Sequence, residues 1–207
     1  MRPIALATAA ALVAGGPLLA QTAPPAAPTL PAATPTPAAL PNPDLVQART
    51  LTQEFAGTLK GELEAVMKSD GPVAAIGVCQ ERAPAIAADL QARSGWTVAR
   101  VSLKPRNAKS GSPDAWEQQV LTRFDARRAA GEPVDTMAFS EVVAGPGGKR
   151  FRFMKAIPTG EVCLACHGGT LSPAVTATLD QAYPEDRARG YAVGDVRGAF
   201  SLAKPID

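Results

Sequence analysis

Two of the three cysteines and the only histidine of this 207-residue chain fall within five consecutive residues, Cys163-Leu164-Ala165-Cys166-His167. Cys-x-x-Cys-His places two thiols and an imidazole in one turn of chain. This is the pattern in which the thiols add to the two vinyl groups of a porphyrin and the imidazole ligates its iron. With residues this scarce, chance assembly of the motif is rare, so it predicts one covalent haem c, attached through Cys163 and Cys166 with His167 on the iron. Two other chemistries use the same residue types. A thioredoxin-like redox disulfide normally sits near a βαβ unit, and no such pattern precedes Cys163. A structural zinc site would have to gather Cys79, Cys163, Cys166 and His167. With one histidine in the chain, a Ser-His-Asp triad is excluded if that histidine is a ligand, and so is bis-histidine ligation within one chain.

The remainder of the sequence says where such a group would be held. Met1-Arg2-Pro3 and the short apolar run from Ile4 to Ala14 have the form of a secretory signal peptide, with Leu19-Ala20-Gln21 offering a cut. The run is too short to cross a bilayer, and nothing later is long and apolar enough to do so. Residues 21–43 are almost wholly Ala, Pro and Thr, a composition that favours extended chain over a core and reads as a linker. The expectation is therefore a signal peptide at 1–20, a linker at 21–43, and one folded domain at 44–207 in an exported, periplasmic protein with no membrane span after cleavage. A net charge of +2 without a basic run argues against nucleic acid as a partner.

Within the domain, Leu45, Ala48, Leu51, Phe55, Leu59, Leu63 and Val66 recur at helical spacing over 44–70, and Gly71-Pro72 ends that helix. Val73, Ile76, Cys79, Ala83, Ile86, Ala87 and Leu90 outline a second helix that Pro84 kinks or restarts. Residues 96–103 read as a strand. Ser112-Pro113-Asp114 reads as a helix start, with Ser112 as N-cap and Pro113 first in the helix, which runs to about Ala130. Strands at 139–143 and 149–154 flank Gly145-Pro146-Gly147-Gly148 as a hairpin, with Phe151 and Phe153 on one side and Arg150, Arg152 and Met154 on the other. A last strand covers 196–202. Helices first and antiparallel strands after make the class α+β.

Cys79 is an odd cysteine in an exported chain, on an apolar helix face where an inert buried thiol is common. From the residues alone the second axial position stays open among Cys79, Met67, Met137, Met154, a lysine and water. Several ordered stretches bear on it: Ala75 to Cys79, Arg100 to Asn107, Pro113 to Glu117, Arg152 to Ile157 running on to Cys163–Gly168, Tyr183-Pro184, Gly190-Tyr191, and Gly194 to Ser201. In these the chain resembles the bacterial and cyanobacterial family of single-haem c-type domains with a PAS-like fold. The family occurs alone after a signal peptide or as the sensing part of kinases and chemoreceptors. The resemblance implies a PAS-like antiparallel sheet with N-terminal helices and iron ligated by His167 and Cys79. It also implies Arg100, Lys104 and Arg106 as partners of the haem propionates. Where the family has a Pro and a second Asn after Arg106-Asn107, this chain has Ala108-Lys109-Ser110-Gly111-Ser112, one residue longer.

A thiolate opposite an imidazole favours ferric iron and a low reduction potential. Protonation of the sulfur after reduction would open a position for CO or NO. The expected function is therefore a redox or diatomic-gas sensor, a c-type cytochrome acting with a sensory output protein. The alternative is a simple periplasmic electron-transfer cytochrome with a redox partner. No general acid or base constellation is evident, so an enzyme is not expected; peroxidase-like activity would need the sixth position to open.

Overall fold

The structure, a computed structural model, describes residues 42–206 apart from residue 146. The signal peptide and nearly all of the linker lie outside the described residues. Helix α1 spans Pro43–Ser69, one residue ahead of the expected boundary, because Asn42 Oδ1 accepts from the amides of Asp44 and Leu45 and Pro43 opens the helix without an N–H to satisfy. Helix α2 (Gly71–Gly77) and helix α3 (Ala83–Ser94) form one continuous rod, joined by a π-helical turn at Val78–Arg82. Pro84 accounts for that turn. Its missing N–H and its ring disturb the i→i−4 ladder, and Ala83 N–H instead reaches Val78 O, five residues back. The expected kink is thus a π turn, and Cys79 lies on it.

Strands β1 (Thr97–Val101), β2 (Ala138–Gly145), β3 (Gly148–Pro158) and β4 (Val196–Ile206) form one antiparallel sheet in the order β1-β4-β3-β2. The hairpin forms as expected, closing at Gly145 opposite Gly148. Strand β4 runs four residues beyond the expected end. Pairing with β1 stops at Ala203, so Pro205 lies where β4 has a neighbour only in β3, a place where a strand tolerates proline.

The sheet is covered on both faces. Phe151, Phe153, Val98, Phe200 and Leu202 pack against Ala48, Leu51, Phe55 and Leu59 of α1 and Ile86 and Leu90 of α3. On the other face Val101, Met154, Ala156 and Ala199 pack under Val120, Leu121 and Phe124 of helix α5 (Ala115–Ala129). The expected sidedness of Phe151 and Phe153 against Met154 is what the two cores show. Helix α5 starts later than expected. Ser112 Oγ is engaged with Ala108 O of the short helix α4 (Ala108–Gly111), and Asp114 is the true cap. Asp114 Oδ1 accepts from Glu117 N at 2.8 Å while Glu117 Oε2 accepts from Asp114 N at 2.8 Å, a capping box. The chain is therefore α+β, with N-terminal helices on a four-stranded antiparallel sheet.

Candidate haem site

The Cys-x-x-Cys-His segment leaves the end of β3 through a 3-10 turn at Glu161–Cys163 and a single helical turn, α6 (Leu164–His167). Gly168 ends the turn, where a Cβ would come within 2.6 Å of Leu164 O. Helix α7 (Pro173–Ala182) clamps the segment from behind, through a small core of Ile76, Val175, Leu179 and Tyr183 against which Cys166 packs. Backbone bonds from Gly190 N to Gly168 O and from Tyr191 N to His167 O, both 3.0 Å, tie it to the loop at 188–191. Cys163 and Cys166 are free thiols, each half-buried. Burial pushes the Cys166 thiol up from its ordinary value.

His167 is oriented at both ring nitrogens. Nδ1 lies 2.8 Å from Ala188 O, and Nε2 lies 3.3 Å from Arg197 Nε. A carbonyl accepts and a guanidinium donates. Nδ1 also lies 2.9 Å from Arg106 Nη2, but the two protons of that nitrogen go to Cys166 O and Ala188 O, so the tautomer that meets every partner carries its proton on Nδ1 and leaves the lone pair on Nε2. Burial, then the charges of Arg197 and Arg106, hold the imidazole well below its ordinary pKa, so the ring is neutral. A neutral imidazole with Nδ1–H bonded to a main-chain carbonyl and Nε2 available is the form that binds a metal. The Tyr191 ring stands edge-on to it, with centroids 6.2 Å apart.

The π turn sets half-buried Cys79 within electrostatic reach of Arg100, Arg106, Tyr183 and Cys166. Two of the three rival methionine sulfurs are elsewhere, while Met67 is half-buried near the end of α1. Met137 and Met154 are wholly buried in the core beneath α5, while Arg100 lies on the α1 face, over the Phe55 ring.

Of the expected cationic partners, Arg100 comes to the site, and burial draws it down from the usual guanidinium value. Arg106 also comes to the site but is turned inward: Nη2 donates to Cys166 O and to Ala188 O. Lys104 sits farther along, its Nζ 5.2 Å from the Tyr191 ring centroid, lining a cavity of about 220 Å³ with Asp125, Arg128 and Asp195. The residue that sequence reasoning missed is Arg197, which faces His167 directly. It stands in the Gly194–Ser201 stretch that carries the resemblance, but strand β4 also holds Lys204, and no spacing in the chain singles Arg197 out. Among the described residues, neither Arg100 nor Arg197 has a carboxylate within ion-pair distance. Half-buried cations with no counter-charge are costly unless an anion joins them.

These residues fit a haem c. The site offers two free thiols, a neutral imidazole whose unprotonated Nε2 is covered by Arg197 Nε and would be bared by a turn of that side chain toward a propionate, a third thiol, and two unneutralised guanidiniums suited to carboxylates. The competing chemistries fit less well. The wholly antiparallel sheet contains no βαβ unit for a thioredoxin-type disulfide. Among the described residues no three His, Cys, Asp or Glu side chains converge as metal ligands, which leaves the zinc alternative without a centre.

Fold and site define a class: a helix-covered antiparallel-sheet domain with a Cys-x-x-Cys-His turn docked beside it. Within that class the chain belongs to the Tll0287-like family, whose model (Tll0287) matches residues 37–205. It is also similar to a solved structure described as the crystal structure of the cyanobacterial heme-protein Tll0287. The identity is 26%, the match covers 80% of this chain and 98% of that one, and the TM-score is 0.63. No curated protein matches the chain. No described helix is long and apolar enough to cross a membrane.

Proposed function

We propose that the chain is an exported monohaem c-type cytochrome, non-enzymatic, that works as a redox or diatomic-gas sensor through a haem held by both a histidine and a cysteine. The observation that carries this reading is His167, a neutral imidazole with Nε2 unprotonated, beside two free thiols and two guanidiniums without counter-charges. The similarity to a cyanobacterial haem protein supports the same reading. In it, Cys163 and Cys166 would carry the thioethers, His167 Nε2 and Cys79 Sγ would ligate the iron, and Arg100 and Arg197 would hold the propionates. The bound group would supply one-electron redox chemistry and, with one axial position open, affinity for CO or NO.

The chain's own residues favour a switchable sixth ligand. His167 is fixed at Nδ1 and through its turn of backbone. Cys79 sits on a π turn, which has a weaker hydrogen-bond ladder than the α-helices on either side. With the haem bound, the positive charges of Arg100 and Arg106 would favour Cys79 as an anionic ligand, and a sulfur released on reduction would be open to protonation. A plain electron carrier is the second reading, favoured by the partial exposure of Cys163 and Cys166, which would bring the group's edge to the surface.

Protein matured in a host that attaches haem to exported cytochromes should carry one haem that acid acetone does not extract, on a chain cut near Ala20. Extractable haem, or a chain still starting at Met1, refutes attachment or export respectively. Cys79→Ala should keep its haem, lose the low-spin thiolate spectrum and gain a higher reduction potential; an unchanged ferric spectrum removes Cys79 as ligand. Reduced wild type should bind CO more readily at low pH. If CO is excluded at every pH while Cys79 ligates, the electron carrier is the better account.

A further inference from the structure

Arg106 is 8% exposed, and Asp186, which faces it, has a side chain 2% exposed. Arg106 Nε lies 3.4 Å from Asp186 Oδ1 without forming a hydrogen bond, so the two interact as charges. Asp186 Oδ1 accepts from Ala188 N at 2.8 Å, and Oδ2 accepts from Arg189 Nε at 2.7 Å. Arg106 Nη2 donates to Ala188 O at 2.9 Å, the same oxygen that His167 Nδ1–H reaches at 2.8 Å. Ala188 is thus gripped at both backbone groups, its N–H by the carboxylate and its C=O by the guanidinium, and that C=O is the atom that orients His167.

We infer that the buried Arg106–Asp186 pair is a positioning pair that sets the donor strength of His167, and through it the reduction potential of the haem. The inference rests on His167 being the axial ligand, as proposed above. A carbonyl oxygen shared with a guanidinium draws less on the imidazole proton than one left to the ring alone. Nε2 is therefore a weaker donor than it would be without Arg106. The charges act in the same sense. Arg106 disfavours added positive charge at the ring and beyond it, and Asp186 opposes Arg106 from its buried side at short range and low dielectric.

The two members therefore pull the potential in opposite directions, which a purely structural pair does not do. In the haem-loaded protein, Arg106→Gln frees the Ala188 carbonyl for His167 and removes a cation, so the midpoint potential falls. Asp186→Asn removes the anion and raises it. Arg106→Lys, which keeps the charge, stays nearer the wild type than Arg106→Gln, and the double variant returns toward the wild type. Thermal unfolding measured alongside should fall more in Asp186→Asn, which leaves Arg106 without its counter-charge, than in Arg106→Gln, where Asp186 keeps Arg189. If Arg106→Gln does not accumulate, Asp186→Asn against Arg106→Lys carries the same sign test. With His167 confirmed as ligand by a changed spectrum in His167→Ala, shifts in one common direction, or none, overturn the pair's role. A spectrum indifferent to His167→Ala overturns the haem assignment itself, and the inference falls with it.

Discussion

Arginines from adjacent strands are drawn into the molecule on opposite sides of the sheet, and they are treated differently. Arg152 of β3, beneath α5, has Nη2 2.8 Å from Asp114 Oδ2 and 3.2 Å from Glu117 Oε1, with its guanidinium 4.2 Å above the Trp116 ring. Glu117 in turn accepts from Ser201 Oγ at 2.6 Å, so the charges of this cluster are balanced within the protein, although Arg152 Nε itself has no hydrogen-bond partner. Arg197 of β4 meets a histidine nitrogen, a serine hydroxyl and the face of Tyr191, but no carboxylate among the described residues. Arg100 lies over the Phe55 ring and, among the described residues, has no carboxylate within ion-pair distance. A sealed charge cluster belongs to the architecture, whereas an unsealed one marks where an anionic group from outside the chain is to be received. The contrast locates the site independently of the Cys-x-x-Cys-His motif.

The largest effect should separate the two arginines. Arg152→Met leaves Glu117, itself 8% exposed, without its cation, and should cost about 3 kcal/mol, or about 10 °C in Tm, with haem content and midpoint potential unchanged. Arg197→Gln should do the reverse. Unfolding should move by less than about 1 kcal/mol, while the midpoint potential falls because a cation near the ferric centre is gone. Calorimetry and redox titration on the same preparations decide it. A large stability loss in Arg197→Gln would erase the contrast.

The next effect tests how Arg197 is presented. Gly198 lies so close to β1 that a Cβ would stand 2.4 Å from Val101 O. Around this glycine the sidedness of β4 changes, since Val196 and Ala199 both face α5 although they are three residues apart. Gly198→Ala should therefore cost about 2 kcal/mol and lower the potential as Arg197→Gln does, because the strand must move away from β1. A stable Gly198→Ala protein of wild-type potential would show that Arg197 does not depend on that close approach.

On the sealed side, Asp114→Ala removes a cap and one of Arg152's partners. The loss should be about 1 kcal/mol at neutral pH, since the carboxylate is more than half exposed. Burial pushes the Asp114 carboxyl upward, but bonds from Glu117 N and Arg152 outweigh it and leave the pKa below the ordinary aspartate value. A depressed folded pKa gives stability that is full above the unfolded pKa and lost as pH falls through the folded one. The gap between wild type and Asp114→Ala should therefore close below about pH 4. A gap that widens in acid would contradict the assignment.

How far the sequence carried depends on how local each signal was. The motif, α1, the hairpin and the sidedness of Phe151 and Phe153 are set by neighbours in the chain, and all are where the periodicities put them. Ser112 was a misleading cap because serine and aspartate compete for that role within three residues, and only the Glu117 partner decides between them. Pro84 announced a break, but that the break is a π turn bearing Cys79 depends on how the α2–α3 rod is held against α1 and α7. Arg197 and Asp186 were invisible for a different reason. Their roles come from loops that meet only in three dimensions, and no spacing in the chain records that Ala188 lies beside His167.

The smallest effect concerns Lys104, which the family resemblance places with Arg100 and Arg106 at the propionates. Its ammonium lies over the Tyr191 ring and shares its cavity with Asp125 and Asp195, so carboxylates are already at hand. Lys104 makes no ion pair among the described residues, but it is exposed to water and shares its cavity with two carboxylates, so unlike Arg197 it needs no anion from outside the chain. Lys104→Gln should leave haem content and midpoint potential at wild-type values and change stability by less than about 0.5 kcal/mol, the ordinary range for a surface substitution. Burial and the Asp195 charge hold the Asp125 carboxyl above its ordinary value, with Lys104 pulling the other way. Loss of the lysine should raise that carboxyl further, a change that carboxyl NMR can follow without any haem signal. A fall in potential comparable to that of Arg197→Gln would instead place Lys104 among the cations that face the haem, and would show that a nearby carboxylate does not by itself make a charge structural.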